Sequence, residues 1–197
     1  MQALVVHSPF HLMVLNATVI LWLAPEWIGS FFQRPESGAV NRDRGSHAVL
    51  VVSLIAGIFA AWCCVSLIPA TNVVWQQKSI FWCGIALMLG GVAFRWYAIR
   101  ALGQYFTRDV STRDGQTVVE CGPYRWIRHP SYTGALLTVF GFGLAMTNWL
   151  ALLATMLGAL IGYGYRVRVE EAALCTALGD PYREYMQRTR RFIPLIW

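Results

Sequence analysis

Two short runs carry residue types that could do chemistry. The first is Arg128-His129-Pro130-Ser131-Tyr132, preceded by Gly122-Pro123-Tyr124-Arg125-Trp126. Pro130 lacks an N–H and is favoured at the first position of a helix, while it pushes His129 away from helical dihedrals, so a helix is expected to begin at Pro130. The open N–H groups at such an end favour an anion, and Arg128 and His129 stand beside it. An interfacial collar uses the same residues, with Arg snorkelling and Trp and Tyr forming the belt. The second run is Arg166-Val167-Arg168-Val169-Glu170-Glu171. On a helix, Val167, Glu170, Glu171, Leu174 and Leu178 share one stripe. Carboxylates in an apolar stripe near a membrane lean towards function, here the holding of a cationic or polyhydroxyl ligand. The alternative is an i,i+4 pair of Arg166 with Glu170, worth about 0.2–0.5 kcal/mol.

Other motifs say less. Gly179-Asp180-Pro181-Tyr182 reads as a helix stop and a new start, with Asp180 as N-cap and Pro181 as the first helical residue. The Arg188–Arg191 cluster reads as a solvated or lipid-headgroup patch. Gly141-Phe142-Gly143 follows no strand, so a dinucleotide site is excluded and helix packing accounts for it. The cysteines, at 63, 64, 83, 121 and 175, form no C-x-x-C, and His7, His11 and His47 have no ligand spacing. No metal site is expected.

These runs must be positioned by apolar elements. Of 197 residues, 56% are hydrophobic and only 13% charged, against roughly 25% charged in a soluble domain. Such a chain cannot cover a globule with polar surface, which excludes a soluble enzyme, a disordered chain and a disulfide scaffold. It reads as an all-α integral membrane protein. A spanning helix needs about 20 apolar residues. Phe10–Ile28, Ala48–Pro69 and Ile80–Leu102 qualify, and the first lacks the basic region of a cleaved leader. Tyr132–Tyr165 would be about 50 Å long as one helix, so the polar break Thr147-Asn148 is expected to divide it into a hairpin whose first helix is short. The reading is five spans. Ala154, Gly158 and Gly162 recur every four residues on the fifth, a pattern of close helix contact.

Charge supports the count. The net charge is +6, and all basic residues but Lys78 are Arg. With five spans every Arg falls on one side, so the positive-inside rule puts the N-terminus outside and the C-terminus in the cytoplasm. The arginines lie beside apolar spans, which speaks for membrane topology and against nucleic acid. The polar mass, Gly103–Ser131 and the tail, lies on the same side, where the chemistry is expected.

The run from Leu102 to Trp197, about half the chain, resembles the isoprenylcysteine carboxyl methyltransferase family and, more loosely, the wider phospholipid methyltransferase group. The matching residues are Leu102-Gly103, Asp114-Gly115-Gln116-Thr117-Val118-Val119, Gly122-Pro123-Tyr124, Arg128 to Tyr132, Asn148-Trp149, Arg166, Glu170-Glu171, Gly179-Asp180-Pro181-Tyr182, Tyr185 and Arg191-Phe192-Ile193-Pro194. The resemblance implies a membrane-embedded methyltransferase using S-adenosyl-L-methionine. It divides the chain into transmembrane helices 1–3 over residues 1–101 and a catalytic region over 102–197. The implied cofactor pocket is cytoplasmic, formed by the loop before span four and the C-terminal helices. Its residues map to Gln116, Thr117, Val118, Val119, Tyr124, His129, Pro130, Ser131, Tyr132 and Glu170, and the family usually carries His where Gln116 stands. Arg166 falls where the family places a substrate-contacting arginine.

Residue chemistry and resemblance agree. Glu170 suits the cofactor's ammonium or hydroxyls, the helix start at Pro130 its carboxylate, and the aromatics Tyr124, Trp126 and Tyr132 its adenine or sulfonium, a cation–π role worth about 0.5–2 kcal/mol. The catalytic set expected is Arg166, Arg128 and Glu171, the arginines orienting an anionic nucleophile on a lipophilic or prenylated acceptor that enters from the bilayer. Membrane lipids are further partners. Two rivals stand beside this reading. One is an amine or thiol methyltransferase on the same fold, and the other a non-catalytic lipid-binding protein.

Overall fold

The computed structural model describes residues 3–32, 40–41, 43–103, 111–112 and 117–192. Among these, the chain runs through α1 (Leu4–His7), α2 (Pro9–Phe32), β1 (Val40–Asn41), α3 (Ser46–Leu67), α4 (Gln77–Leu102), β2 (Ser111–Thr112), α5 (Pro130–Ala145), α6 (Trp149–Leu178) and α7 (Asp180–Arg188). Short 3₁₀ turns precede α4 at Pro69–Thr71 and α5 at Gly122–Arg125. Among the described residues three helices, α3, α4 and α6, are long and apolar enough to cross a membrane. The 16-residue α5 would span only about 24 Å at 1.5 Å per residue, the short member expected of the hairpin.

Local chemistry sets the helix ends. Pro130 opens α5, with His129 before it at φ −122° and ψ 57°, outside the helical region. Thr147, at φ +50°, breaks the hairpin. Asn148 Oδ1 then caps α6 by accepting the Ala151 amide at 2.9 Å. The Asn148 amide donates to Thr71 Oγ1 and Asn72 Oδ1, both at 2.8 Å, which ties this tip to the turn before α4. At the other end of α6 one expectation is corrected. Asp180 is not an N-cap: Gly179, at φ +65°, both ends α6 and occupies the cap position of α7. Asp180 lies inside the first turn, where its carboxylate accepts from Arg183 at 2.7 Å. Only a residue without Cβ adopts that backbone cheaply, so the glycine takes the junction.

Packing is backbone on backbone. A Cβ on Gly84 would lie 2.6 Å from the Gly141 carbonyl, and one on Gly91 2.6 Å from the Gly134 carbonyl, so α4 and α5 touch along their glycines. A Cβ on Gly57 would lie 3.0 Å from the Ala154 carbonyl, and Gly158 and Gly162 meet Ser53 and Leu50. The stripe Ala154, Gly158, Gly162 is therefore the seam between α6 and α3, as small residues at four-residue spacing allow. Gly141 belongs to a seam of the same kind, and Gly143 abuts Leu152 and Thr155 of α6.

These contacts make α4 antiparallel to α5 and α3 antiparallel to α6. The ring of His11 on α2 meets that of Phe81 on α4 edge-on at 4.8 Å, so both helices start at the same end. That end holds α1, whose Leu4 amide donates to Thr147 Oγ1 at 3.3 Å, together with Asn72, Asn148 and Lys78. The opposite end gathers the start of α3, the ends of α4 and α6, the start of α5, α7 and, among the described residues, every arginine. There β1 pairs antiparallel with β2, Val40 opposite Thr112 and Asn41 opposite Ser111. The described chain is otherwise mostly helical, as expected of an all-α protein, and this two-residue ladder lies between helices. Two extended segments pass side by side and satisfy each other's backbone groups.

Candidate functional site

The arginine-rich end contains one connected polar network. Tyr132 sits in the first turn of α5, and Arg166 and Glu170 stand one turn apart on α6. The Tyr132 hydroxyl donates to Glu170 Oε2 at 2.7 Å and accepts from Arg166 Nε at 3.0 Å. It stands between the two as a bridge. Arg166 is only 4% exposed, and its Nη1 donates to Asp43 Oδ1 at 2.9 Å and Ser46 Oγ at 3.1 Å. His129 is buried and stacks on Tyr132 with ring centroids 5.4 Å apart and planes 5° from parallel. Its Nδ1 lies 3.7 Å from Glu170 Oε2, and its buried Nε2 lies 3.5 Å from Glu171 Oε1 without making a hydrogen bond.

A second layer holds this network. Glu171 is buried and accepts from Arg128 Nε at 2.9 Å and from Arg191 Nη2 at 2.8 Å. The Arg128 Nη1 group donates to the carbonyls of Met186, at 3.0 Å, and Thr189. The segment after α7 returns along the one before α5: the Arg190 amide donates to the Trp126 carbonyl at 3.1 Å and the His129 amide to the Arg191 carbonyl at 3.1 Å. Thr133 Oγ1 donates to the Phe192 carbonyl at 2.7 Å, and the Tyr185 hydroxyl to the Tyr124 carbonyl at 2.7 Å. Residues 189–192 thus form a strap that keeps His129 and Arg128 in register with Glu171.

Electrostatics follow from burial and pairing. Burial would raise the Asp43 carboxyl, but hydrogen bonds from Ser46 and the His47 amide, with the Arg166 charge, outweigh it and hold the group below its ordinary value. The hydroxyls of Tyr124 and Tyr182 are pushed well up, by burial first and then by the charge of Glu170, and that of Tyr185 mainly by burial. They stay neutral phenols at physiological pH. The bond to Glu171 raises Arg191, which keeps its charge in place.

Of the residues singled out from sequence, Arg128, His129, Tyr132, Arg166, Glu170 and Glu171 share the network, with Pro130 and Ser131 opening α5 beneath it. Tyr124 is buried beside it, close enough for the Glu170 charge to act on its hydroxyl. Thr117 is exposed, while Val118 and Val119 are half-buried in an extended segment. Gln116 lies outside the described residues, as do Arg34, Arg42, Arg108, Arg113, Asp114, Gly115, Ile193 and Pro194. Trp126 is 66% exposed.

Arg128, expected to meet a nucleophile, donates here to Glu171 and to the carbonyls of Met186 and Thr189. One expectation is corrected: Arg191, expected in a solvated or lipid-headgroup cluster, grips the buried carboxylate of Glu171. The sequence reading missed Asp43 and Ser46. Asp43 stands just before the Gly45 cap of α3; its Oδ2 accepts the His47 amide at 3.1 Å and its backbone carbonyl the Ser46 amide at 2.8 Å. No local signal names a partner 123 positions later.

Residues 84–176 match the isoprenylcysteine carboxyl methyltransferase (ICMT) family. A protein-S-isoprenylcysteine O-methyltransferase of Xenopus laevis is 30% identical over 176 residues, covering 87% of this chain and 59% of the relative. The Homo sapiens protein of that name is 29% identical over 131 residues, covering 64% and 46%. The chain thus spans about half the length of these curated relatives. The fold is similar to that of the eukaryotic intramembrane Ras methyltransferase ICMT, with a TM-score of 0.59, 26% identity, and coverage of 74% of this chain and 52% of the other. With three helices of spanning length, these likenesses make the chain a multi-pass integral membrane protein.

Proposed function

On its likeness to the isoprenylcysteine carboxyl methyltransferase family over residues 84–176 we propose that the chain is a member of that family, an S-adenosylmethionine-dependent methyltransferase acting on the carboxylate of a lipophilic, isoprenylcysteine-like acceptor. The observation that carries the proposal is the bridge from Arg166 through Tyr132 to Glu170. It puts a cation suited to the acceptor and an anion suited to the cofactor on either side of one hydroxyl.

The residues fit the cofactor. Glu170 keeps Oε1 without a hydrogen bond among the described residues, and its side chain is 28% exposed, so one carboxylate oxygen is available to an ammonium or to ribose hydroxyls. The buried His129 Nε2 likewise makes no hydrogen bond. The start of α5 at Pro130, Ser131 and Tyr132, with Tyr124 and the segment Gln116, Thr117, Val118, Val119, completes the proposed pocket. When bound, the cofactor supplies an electrophilic methyl group for in-line displacement. The protein's part is positioning and exclusion of water. Arg166 orients the acceptor carboxylate, Tyr132 fixes the distance between Arg166 and Glu170, and Arg128 with Glu171 hold the strap closed. A carboxylate is already ionised and needs no general base, which suits a site whose buried tyrosines stay protonated. Orientation of this kind supplies about 7–11 kcal/mol in well-aligned systems.

In this reading α2 to α6 are five spans, residues 102–197 carry most of the pocket, and the arginine-rich end faces the cytoplasm, where positive charge collects. The acceptor enters sideways from the lipid, and lipids cover the rest of the apolar surface. The test is transfer of a labelled methyl group from S-adenosylmethionine to N-acetyl-S-farnesylcysteine by protein purified in detergent. A base-labile methyl ester is the expected product. Binding of S-adenosylhomocysteine without transfer to any prenylated carboxylate would point to another acceptor, and absence of binding would refute the enzyme.

A further inference from the structure

We infer that Asp43, assisted by Ser46, is a positioning residue for methyl transfer, acting through Arg166. This inference rests on the acceptor role proposed for Arg166. Asp43 lies outside the matched residues 84–176, in the half of the chain expected to supply only transmembrane helices.

A buried arginine needs compensation for its charge, and its long side chain needs a fixed direction before it can orient anything. Both come from the start of α3. Asp43 Oδ1 accepts from Arg166 Nη1 at 2.9 Å and from Ser46 Oγ at 2.7 Å, while Ser46 Oγ lies 3.1 Å from the same Nη1. Asp43 is itself immobilised, since its Oδ2 accepts the His47 amide at 3.1 Å and its carbonyl the Ser46 amide at 2.8 Å. Tyr132 takes Nε. Two neighbouring corners of a planar fork are held from opposite elements, α3 and α5, which sets the plane of the guanidinium.

The charge of Asp43 cannot be what it adds to catalysis. A carboxylate 2.9 Å from Arg166 weakens the pull of that arginine on an anionic acceptor. What it adds is geometry, and a misplacement of about 1 Å can cost roughly a hundredfold in rate. Asparagine keeps an acceptor oxygen in the same place, whereas alanine removes it.

The experiment compares wild type, Asp43→Ala and Asp43→Asn for acceptor kcat/KM with N-acetyl-S-farnesylcysteine, alongside Kd for S-adenosylhomocysteine. Asp43→Ala should lower acceptor kcat/KM at least tenfold while Kd stays within twofold. Asp43→Asn should lose at least threefold less. On an Arg166→Lys background, Asp43→Ala should change the residual rate by less than twofold, because residues acting through one another are not additive. Should Asp43→Ala not accumulate, Ser46→Ala carries the test: it removes the hydroxyl that meets Arg166 Nη1 and Asp43 Oδ1 and must lower acceptor kcat/KM at least threefold at constant Kd. An unchanged acceptor kcat/KM, a parallel loss of cofactor affinity, or a full additional loss on the Arg166→Lys background would each overturn the inference. A wild type that does not methylate this acceptor overturns the proposed function, and this inference with it. An active wild type matched by Asp43→Ala overturns the inference alone.

Discussion

At the scale of single residues, the division of labour across the Tyr132 bridge is the sharpest expectation. Glu170 lies in the inward stripe of α6 and holds one oxygen on Tyr132, so Glu170→Ala should weaken S-adenosylhomocysteine at least tenfold, about 1.4 kcal/mol, with little change in folding. Calorimetry measures it, and unchanged affinity would leave Glu170 as an ordinary surface charge. Arg166→Lys keeps the charge but cannot reproduce a planar fork. It should retain cofactor affinity and lose most turnover, the loss appearing in kcat/KM for the acceptor. Loss of cofactor binding as well would move Arg166 into the cofactor pocket. Most members of this network were legible in the sequence because they fall in two short runs, although the contacts between the runs are long-range. Arg166, Glu170 and Glu171 fall on one helical face by spacing, and Pro130 dictates a helix start beside Arg128 and His129. Asp43 was not legible, since its partner comes from a helix far along the chain, and neither was the clamp made by Arg128, whose acceptors are backbone carbonyls with no side-chain signature.

At the scale of elements, the helix pairs are set by glycine. The seam of α4 with α5 leaves no room at Gly84, where an added Cβ would sit 2.6 Å from backbone atoms of α5. Backbone cannot swing aside as a side chain can, so Gly84→Ala should separate the helices at a cost of about 1–3 kcal/mol, read as a lower Tm in detergent. Gly90, on the same helix, has nothing within 4 Å of such a Cβ. Gly90→Ala should be neutral or stabilising by up to about 1 kcal/mol. Equal effects of the two would dismiss the seam. Element boundaries were readable wherever one residue type forces the backbone, as at Pro130 and the polar break Thr147-Asn148. The junction at residues 179–180 was misread because Asp and Gly both signal helix ends, and the competition was decided by which could adopt a positive φ.

For the whole molecule, five helices alternating between two ends place α1 and α7 at opposite ends, with every described arginine at one of them. Reporters fused at Met1 and Trp197 should therefore report opposite sides of the membrane, the latter in the cytoplasm. Both on one side would refute the five-span arrangement. The mainly helical, membrane-spanning class followed from composition and hydropathy, because three of the described helices stay apolar over the thickness of a bilayer. The contact between β1 and β2 left no such trace, since two-residue strands carry no period.

The strap at residues 189–192 has a consequence for biosynthesis. It closes on Trp126, Arg128, His129 and Glu171, all of which leave the ribosome earlier. During synthesis the helices up to α6 can form and pack before the wall beside His129 exists, and the buried carboxylate of Glu171 waits with only one of its two arginines. Packing of the helices and closure of the strap are thus separate events in time. On the proposed function, a chain halted after α6 would lack one wall of the site, and cofactor binding would report synthesis of the strap and not merely insertion.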